Sequence, residues 1–288
     1  MTQPDAPIKT MKLYTHVERV ERELAARGFG PDGALKIDDL FDLDQLHYHG
    51  PEAVRAAMDR LGLNAGDRVI DVGSGLGGPA RLLASEGGCR VTAIELQSDL
   101  DRLATRLTRR TGLEQRIEHR CEDFLTAERP EPGFDALVSW LTFLHIPERS
   151  ALMERCFECL RPGGSILVED FYARPDLGPQ QREMLKNEVY CRKLPSWEQY
   201  REQIEAAGFE GTEMEDMSAG WSRFVSDRLG EFRRGKEHFV AIHGDDAFEA
   251  LEHFYSVMVD LFGSGGLGGV RWSARRPDQE GAAQGLTA

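Results

Sequence analysis

The sequence predicts an α/β protein built on a Rossmann-like, mostly parallel sheet, and three observations carry that reading. Residues 68–80 pass from a β-branched run through Asp71 into a glycine-rich turn (Gly73, Ser74, Gly75, Gly77), then into a helical pattern, and a second apolar run, 90–94, closes on Glu95. Glycines let the backbone turn sharply and approach a ligand, and an acid at the next strand end, about 20 residues on, can accept both hydroxyls of a ribose. Strand-like runs at 68–72, 90–94, 116–120, 134–140 and 164–170 alternate with helical patterns. That alternation implies right-handed crossovers and a sheet buried on both faces. A last strand-like run, 268–275, follows a long insertion.

The elements follow in order. Residues 1–10 read as a disordered lead. Leu13, Val17, Val20 and Leu24 recur at helical spacing over 11–26, and Gly28 is a natural stop. Pro51 opens a helix through Met58 and Leu61. Beyond the fifth strand, 180–190 and 197–207 look helical and 211–216 is a short strand. The insertion, about 217–266, carries two further helical patterns, and 276–288 reads as a disordered tail.

At 288 residues, 41% hydrophobic and 29% charged, the chain suits one α/β core with helical additions. No apolar run matches a bilayer and the first residues carry no secretion signal, so a cytoplasmic protein is expected. Five scattered cysteines (Cys89, Cys121, Cys156, Cys159, Cys191) suit a reducing compartment; Cys156 and Cys159 sit on a helical pattern and read as packed thiols rather than a metal knuckle. A net charge of −14 argues against a nucleic-acid partner, since phosphate-tracking proteins concentrate positive charge. A small-molecule partner fits, and a homo-oligomer is left open.

Over about residues 50–215 the chain resembles the class I methyltransferases that use S-adenosylmethionine (SAM). Gly73, Ser74, Gly75 and Gly77 match the turn beneath the methionine end of SAM, with Asp71 organising it. Glu95 matches the ribose-binding acid, with Leu96 and Gln97 beside the adenine. Asp123 matches the acid that accepts from the adenine amino group, with Phe124 packing nearby. Ser139-Trp140 opens the loop that faces the acceptor, and Arg161-Pro-Gly-Gly164 matches the turn before the fifth strand. The resemblance implies an antiparallel last strand, an N-terminal helical lid over 11–62, and a core over 63–275 with the insertion as a cap. Gln45, Tyr48 and His49 are the lid's candidates to close on SAM or acceptor, with Tyr14 weaker. His47 and His49 also have the spacing of two metal ligands, with no third nearby.

The acceptor side has several candidates. His145 matches a position that lines the acceptor pocket in phosphobase methyltransferases, though Leu-His-Ile-Pro is also a common form of this loop. Glu169 and Asp170 are adjacent on a strand, so they point to opposite sides, one to the site and one to a loop. A carboxylate there can deprotonate an acceptor, hold an ammonium, ligate a metal, or simply serve a loop. In the insertion, Trp221, Arg223, Phe224 and Arg228 lie in the most basic stretch of the chain, either a solvated helix face or a cap gripping an anionic acceptor. The expected activity is methylation of a small metabolite. The lean is to C-methylation of an isoprenyl diphosphate, with Mg²⁺ and with Glu169, Asp170 or Glu188 as base. The alternatives are N-methylation of a sarcosine/dimethylglycine or phosphobase type of amine, and a non-catalytic SAM-binding protein.

Overall fold

In the computed structural model, which describes residues 8–278 apart from residue 12 and residues 129–132, seven strands form one sheet. They are β1 (Arg68–Val72), β2 (Arg90–Glu95), β3 (Ile117–Cys121), β4 (Phe134–Trp140), β5 (Leu160–Ala173), β6 (Glu210–Asp216) and β7 (Leu267–Arg275), in the order β3-β2-β1-β4-β5-β7-β6. β1 to β5 pair in parallel, and β7 runs antiparallel to both β5 and β6. Alternation along the strands sorts the core into two layers. Ile70, Val72, Leu137, Ile166 and Val168 pack with Phe143, Leu152, Tyr200 and Trp272 on one face. Val69, Val91, Ala136, Val138 and Leu167 pack with Val54, Leu82 and Leu83 on the other.

The helices are α1 (Arg19–Ala26), α2 (Gly50–Leu61), α3 (Gly78–Ser85), α4 (Ser98–Arg110), α5 (Arg149–Cys159), α6 (Pro179–Glu188), α7 (Trp197–Ala206), α8 (Ser218–Arg234), α9 (Lys236–His243) and α10 (Asp245–Gly263). None among the described residues is long and apolar enough to cross a membrane. The described cysteines are free thiols, and Cys156 and Cys159 are buried.

Four boundaries differ from the sequence reading. The first helix starts only at Arg19, whose guanidinium donates to the carbonyls of Leu13 and His16, both at 3.1 Å, and ties the preceding turn down. Met11 and Leu13 are buried against the cap instead. The insertion holds three helices rather than two, since Gly235 and Gly244 each end one and precede the next. Of the expected lead, residues 1–7 lie outside the described residues, whereas Ile8–Thr10 form a 3-10 turn. Of the expected tail, residues 279–288 lie outside them, whereas Arg276 donates to the Leu160 carbonyl at 2.7 Å.

One buried ion pair anchors the N-terminal segment to the core. Arg81 on α3 is fully buried, and its Nη2 donates to Asp44 Oδ2 at 2.7 Å and to the Leu76 carbonyl at 2.6 Å. Its Nη1 reaches Thr108 Oγ1 of α4 at 3.1 Å. A guanidinium so placed is stable only while its charge is matched. Asp44→Asn is therefore expected to cost about 3–5 kcal/mol in chemical denaturation. A cost near that of an exposed pair, under about 1 kcal/mol, would mean the segment is anchored otherwise.

Candidate active site

The carboxyl ends of β1, β2 and β4 border a cleft, the edge where open α/β sheets bind ligands. Its floor is the glycine turn. Gly73 has φ +77°, and a Cβ there would collide with the Thr142 side chain; Gly75 has φ +55° and lies against Leu46. Gly77 caps α3, and Ser74 is buried within the turn. Glu95, at the end of β2, accepts from the Gly75 N–H at 2.9 Å and from the Gln97 N–H at 2.8 Å, one with each carboxylate oxygen. Burial raises its pKa, and these N–H groups pull it back. Asp71 has no such relief. Burial, then the Glu95 charge, pushes its carboxyl up to about 8.

Five buried polar atoms facing this cleft's residues have no partner in the protein: Asp71 Oδ2, Ser74 Oγ, Gln97 Oε1, Glu122 Oε1 and Trp140 Nε1. Orphaned groups are costly, and so many in one cleft point to a polar ligand that satisfies them. At the rim, Leu96 is 58% exposed, the only large apolar side chain so exposed among the described residues. Asp123 is exposed beside it and accepts from the Leu125 N–H at 2.9 Å, while Phe124 is buried and also lines the cleft. Trp140 forms a wall, and Leu141 after it has φ +53°, strained for a residue with a side chain.

His145 lines the cleft and also an annexe beside it, bordered by Lys186, Asn187, Tyr190 and Arg192 and by the acid Glu148. Its Nδ1 faces the Tyr190 carbonyl at 3.5 Å, and burial draws its pKa down to about 4, so the ring is neutral at neutral pH. No lysine or arginine stands among the described residues that line the main cleft.

Several expected site residues stand elsewhere. Glu169 pairs with Arg271 on the neighbouring β7 at 2.7 Å, does not line the main cleft, and is no candidate base. Asp170 faces the other side, as alternation requires, but is spent on structure. It accepts from Tyr200 Oη at 2.8 Å and from the Leu144 N–H at 3.1 Å, and so holds the loop that carries His145. Glu188, at the end of α6, meets His253 at 2.9 Å outside the main cleft. Ser139 is buried and donates to the Val72 carbonyl at 2.7 Å, joining β4 to β1.

The lid and cap candidates are displaced as a group. Tyr48 is buried among Phe171, Trp221, Phe224 and Phe262, with the Trp221 ring 5.0 Å away edge-on. His49, with φ +59°, heads α2 and packs on Phe224. Arg228 stacks over Phe224 at 4.6 Å and donates to the His47 carbonyl at 3.3 Å; Arg223 is exposed. These residues clamp the lid from behind and do not border the main cleft. Gln45 likewise supports rather than lines, its Oε1 2.8 Å from His47 Nε2. What reaches the cleft from the lid is Tyr14, Asp44, Leu46 and His47. The sequence signal for His47 was its place in a polar-aromatic run, which did not say which of its residues faced inward. Among the described residues no group of three or more His, Cys, Asp or Glu could hold a metal ion.

Residues 46–214 match the family model described as "Methyltransferase domain". Phosphoethanolamine N-methyltransferase 1 of Triticum aestivum is 28% identical over 234 residues, 81% of this chain; the chain spans 46% of that relative's length. The phosphoethanolamine N-methyltransferase of Plasmodium falciparum is 25% identical over 85% of this chain and 92% of its own. Among solved structures, phosphoethanolamine N-methyltransferase 2 of Haemonchus contortus, bound to phosphomonomethylethanolamine and S-adenosylhomocysteine, superposes with a TM-score of 0.74 at 24% identity, over 81% of this chain and 54% of that one, a likeness of fold. The glycine turn, the acid that follows it, the antiparallel last strand and the match across more than half its length agree: the chain belongs to the methyltransferase-domain family, as a class I, SAM-dependent member.

Proposed function

We propose that this chain methylates the nitrogen of a small amine that also carries an anionic group. The observation that carries the reading is His145, a neutral imidazole between a cleft suited to SAM and an annexe with two cationic side chains. When bound, SAM supplies an electrophilic methyl group; the protein supplies alignment, exclusion of water and a proton acceptor.

The cleft fits SAM in kind. Asp71 and the orphaned oxygens suit an ammonium, Glu95 suits ribose hydroxyls, and Leu96, Phe124 and Asp123 offer an apolar and hydrogen-bonding surface for a purine. On the acceptor side, an amine arrives as an ammonium and must lose a proton before its lone pair can attack. His145 directs Nδ1 to the Tyr190 carbonyl, which leaves Nε2 as the site that takes the proton. Burial beside a cationic donor depresses the ammonium pKa too, which narrows the gap between the two. Lys186 and Arg192 in the annexe suit a phosphate or carboxylate on the acceptor's far end.

This replaces the lean towards an isoprenyl diphosphate. Arg223 and Arg228 border neither the main cleft nor the annexe, and no carboxylate cluster for Mg²⁺ occurs among the described residues. The relatives named as phosphoethanolamine N-methyltransferases support the amine. A non-catalytic SAM-binding role would leave His145 and the annexe without a purpose.

With methyl-labelled SAM, mass spectrometry of a panel of amines, phospho-amines and prenyl diphosphates is expected to show label on nitrogen, phosphoethanolamine first, with no effect of EDTA. Label on a prenyl carbon, lost with EDTA, would overturn the reading. His145→Gln should lower kcat about 10²–10⁴-fold while the KM for SAM stays within a few fold. Lys186→Ala should instead raise the acceptor KM about tenfold with little change in kcat; the opposite split would exchange the two roles. Calorimetry of Glu95→Ala should show SAM binding weaker by about 1–3 kcal/mol, and unchanged affinity in a folded variant would remove Glu95 from the site.

A further inference from the structure

The lid segment contains a polar chain whose hydrogen bonds do not add up for neutral side chains. Asp44 Oδ2 pairs with the buried Arg81 at 2.7 Å, and Asp44 Oδ1 accepts from Gln45 Nε2 at 2.9 Å. Gln45 is thereby oriented with its oxygen towards His47, 2.8 Å from Nε2. The other ring nitrogen, Nδ1, lies 3.0 Å from the Tyr48 carbonyl. Both nitrogens of His47 thus face oxygen acceptors. A neutral imidazole has one N–H and one lone pair, so one of those contacts would set lone pair against lone pair. Only the imidazolium donates to both. Turning the Gln45 amide round moves the conflict without removing it, because its oxygen would then face Asp44 Oδ1, whose charge Arg81 requires.

The surroundings include both signs. Burial draws the ring's pKa down to about 4, with Arg228 on α8 and His49 at the head of α2 acting in the same direction and the Tyr48 carbonyl opposing them. Gln45, polarised by the Asp44 carboxylate, adds a second acceptor. The face of Trp140, whose ring centre is 5.5 Å away, favours a cation. His47 is 3% exposed and lines the cleft, where no described lysine or arginine does. Two buried donors without partners, Ser74 Oγ and Trp140 Nε1, line the same cleft.

We propose that His47 is held as an imidazolium, the fixed positive charge that meets the carboxylate of SAM's methionine portion, with Ser74 and Trp140 donating the hydrogen bonds. The proposal rests on the SAM assignment for the ligand and on the Asp44-Gln45-His47 chain for the charge, so each is tested separately. Nitrogen-15 NMR of the wild-type protein with S-adenosylhomocysteine bound, at pH 7, reads the charge without a mutation. Two protonated ring nitrogens at His47 are expected, and one unprotonated nitrogen would overturn the proposal. Gln45→Leu, which removes the second acceptor, should lower the His47 titration midpoint; an unchanged midpoint would contradict the chain's role. Calorimetry then compares S-adenosylhomocysteine with its decarboxylated analogue. His47→Gln is expected to weaken the first roughly ten- to hundredfold and the second about twofold at most. Equal losses for both ligands would overturn the pairing with the carboxylate. If the wild-type protein binds neither ligand, the SAM assignment fails and takes the proposal with it, whatever the charge on His47.

Discussion

Arg81 is a cation inside the protein, and the cleft is organised around the groups that compensate it. Its bonds reach Asp44 in the N-terminal segment, the Leu76 carbonyl in the glycine turn, and Thr108 on α4. A buried guanidinium imposes such an arrangement, because every unmet donor costs free energy and the charge must be matched nearby. The N-terminal segment, the glycine turn and α4 are thereby fixed relative to one another. Asp44 passes the constraint on through Gln45 to His47, which stacks on Trp140 at the cleft wall. From the far side, Arg228 of the cap donates to the His47 carbonyl and closes the clamp.

The opposite wall follows a similar economy with acids. Asp170 holds the Leu144 N–H and the Tyr200 hydroxyl, so the loop bearing His145 is set by a carboxylate that never touches the cleft. Asp71 and Glu95 line the cleft with Glu122 and Asp123, and burial pushes Asp71 and Glu95 towards their neutral forms. A site in this condition is destabilised when empty, and a cation relieves it.

The parts legible in the sequence are those where local geometry dictates residue type. Gly73 and Gly75 adopt positive φ where a side chain would be strained, and an acid one crossover later has few places to stand, so the turn and Glu95 could be located from spacing alone. Alternation also told that Glu169 and Asp170 point to opposite sides. It could not tell that Arg271, about a hundred residues on, lies opposite Glu169 in register, because long-range pairing leaves no local mark. The same limit misdirected the lid and cap: Trp221, Phe224 and Tyr48 are as suited to a packed interface as to a substrate cage, and here they form the interface. His47 and the annexe cations emerged only when α6, α8 and β4 were brought together.

Burial keeps the acids of the cleft short of their charge, and a cationic cofactor restores it. At pH 7 Asp71, with its pKa at about 8, carries its proton in the free protein. A bound ammonium favours the carboxylate, lowers that pKa and releases the proton, so affinity should rise with pH towards about 8. Calorimetric titration with SAM at pH 7, in buffers of different ionisation enthalpy, measures this directly. The account predicts release of close to one proton, abolished in Asp71→Asn; no release, or the same release from that variant, would contradict it.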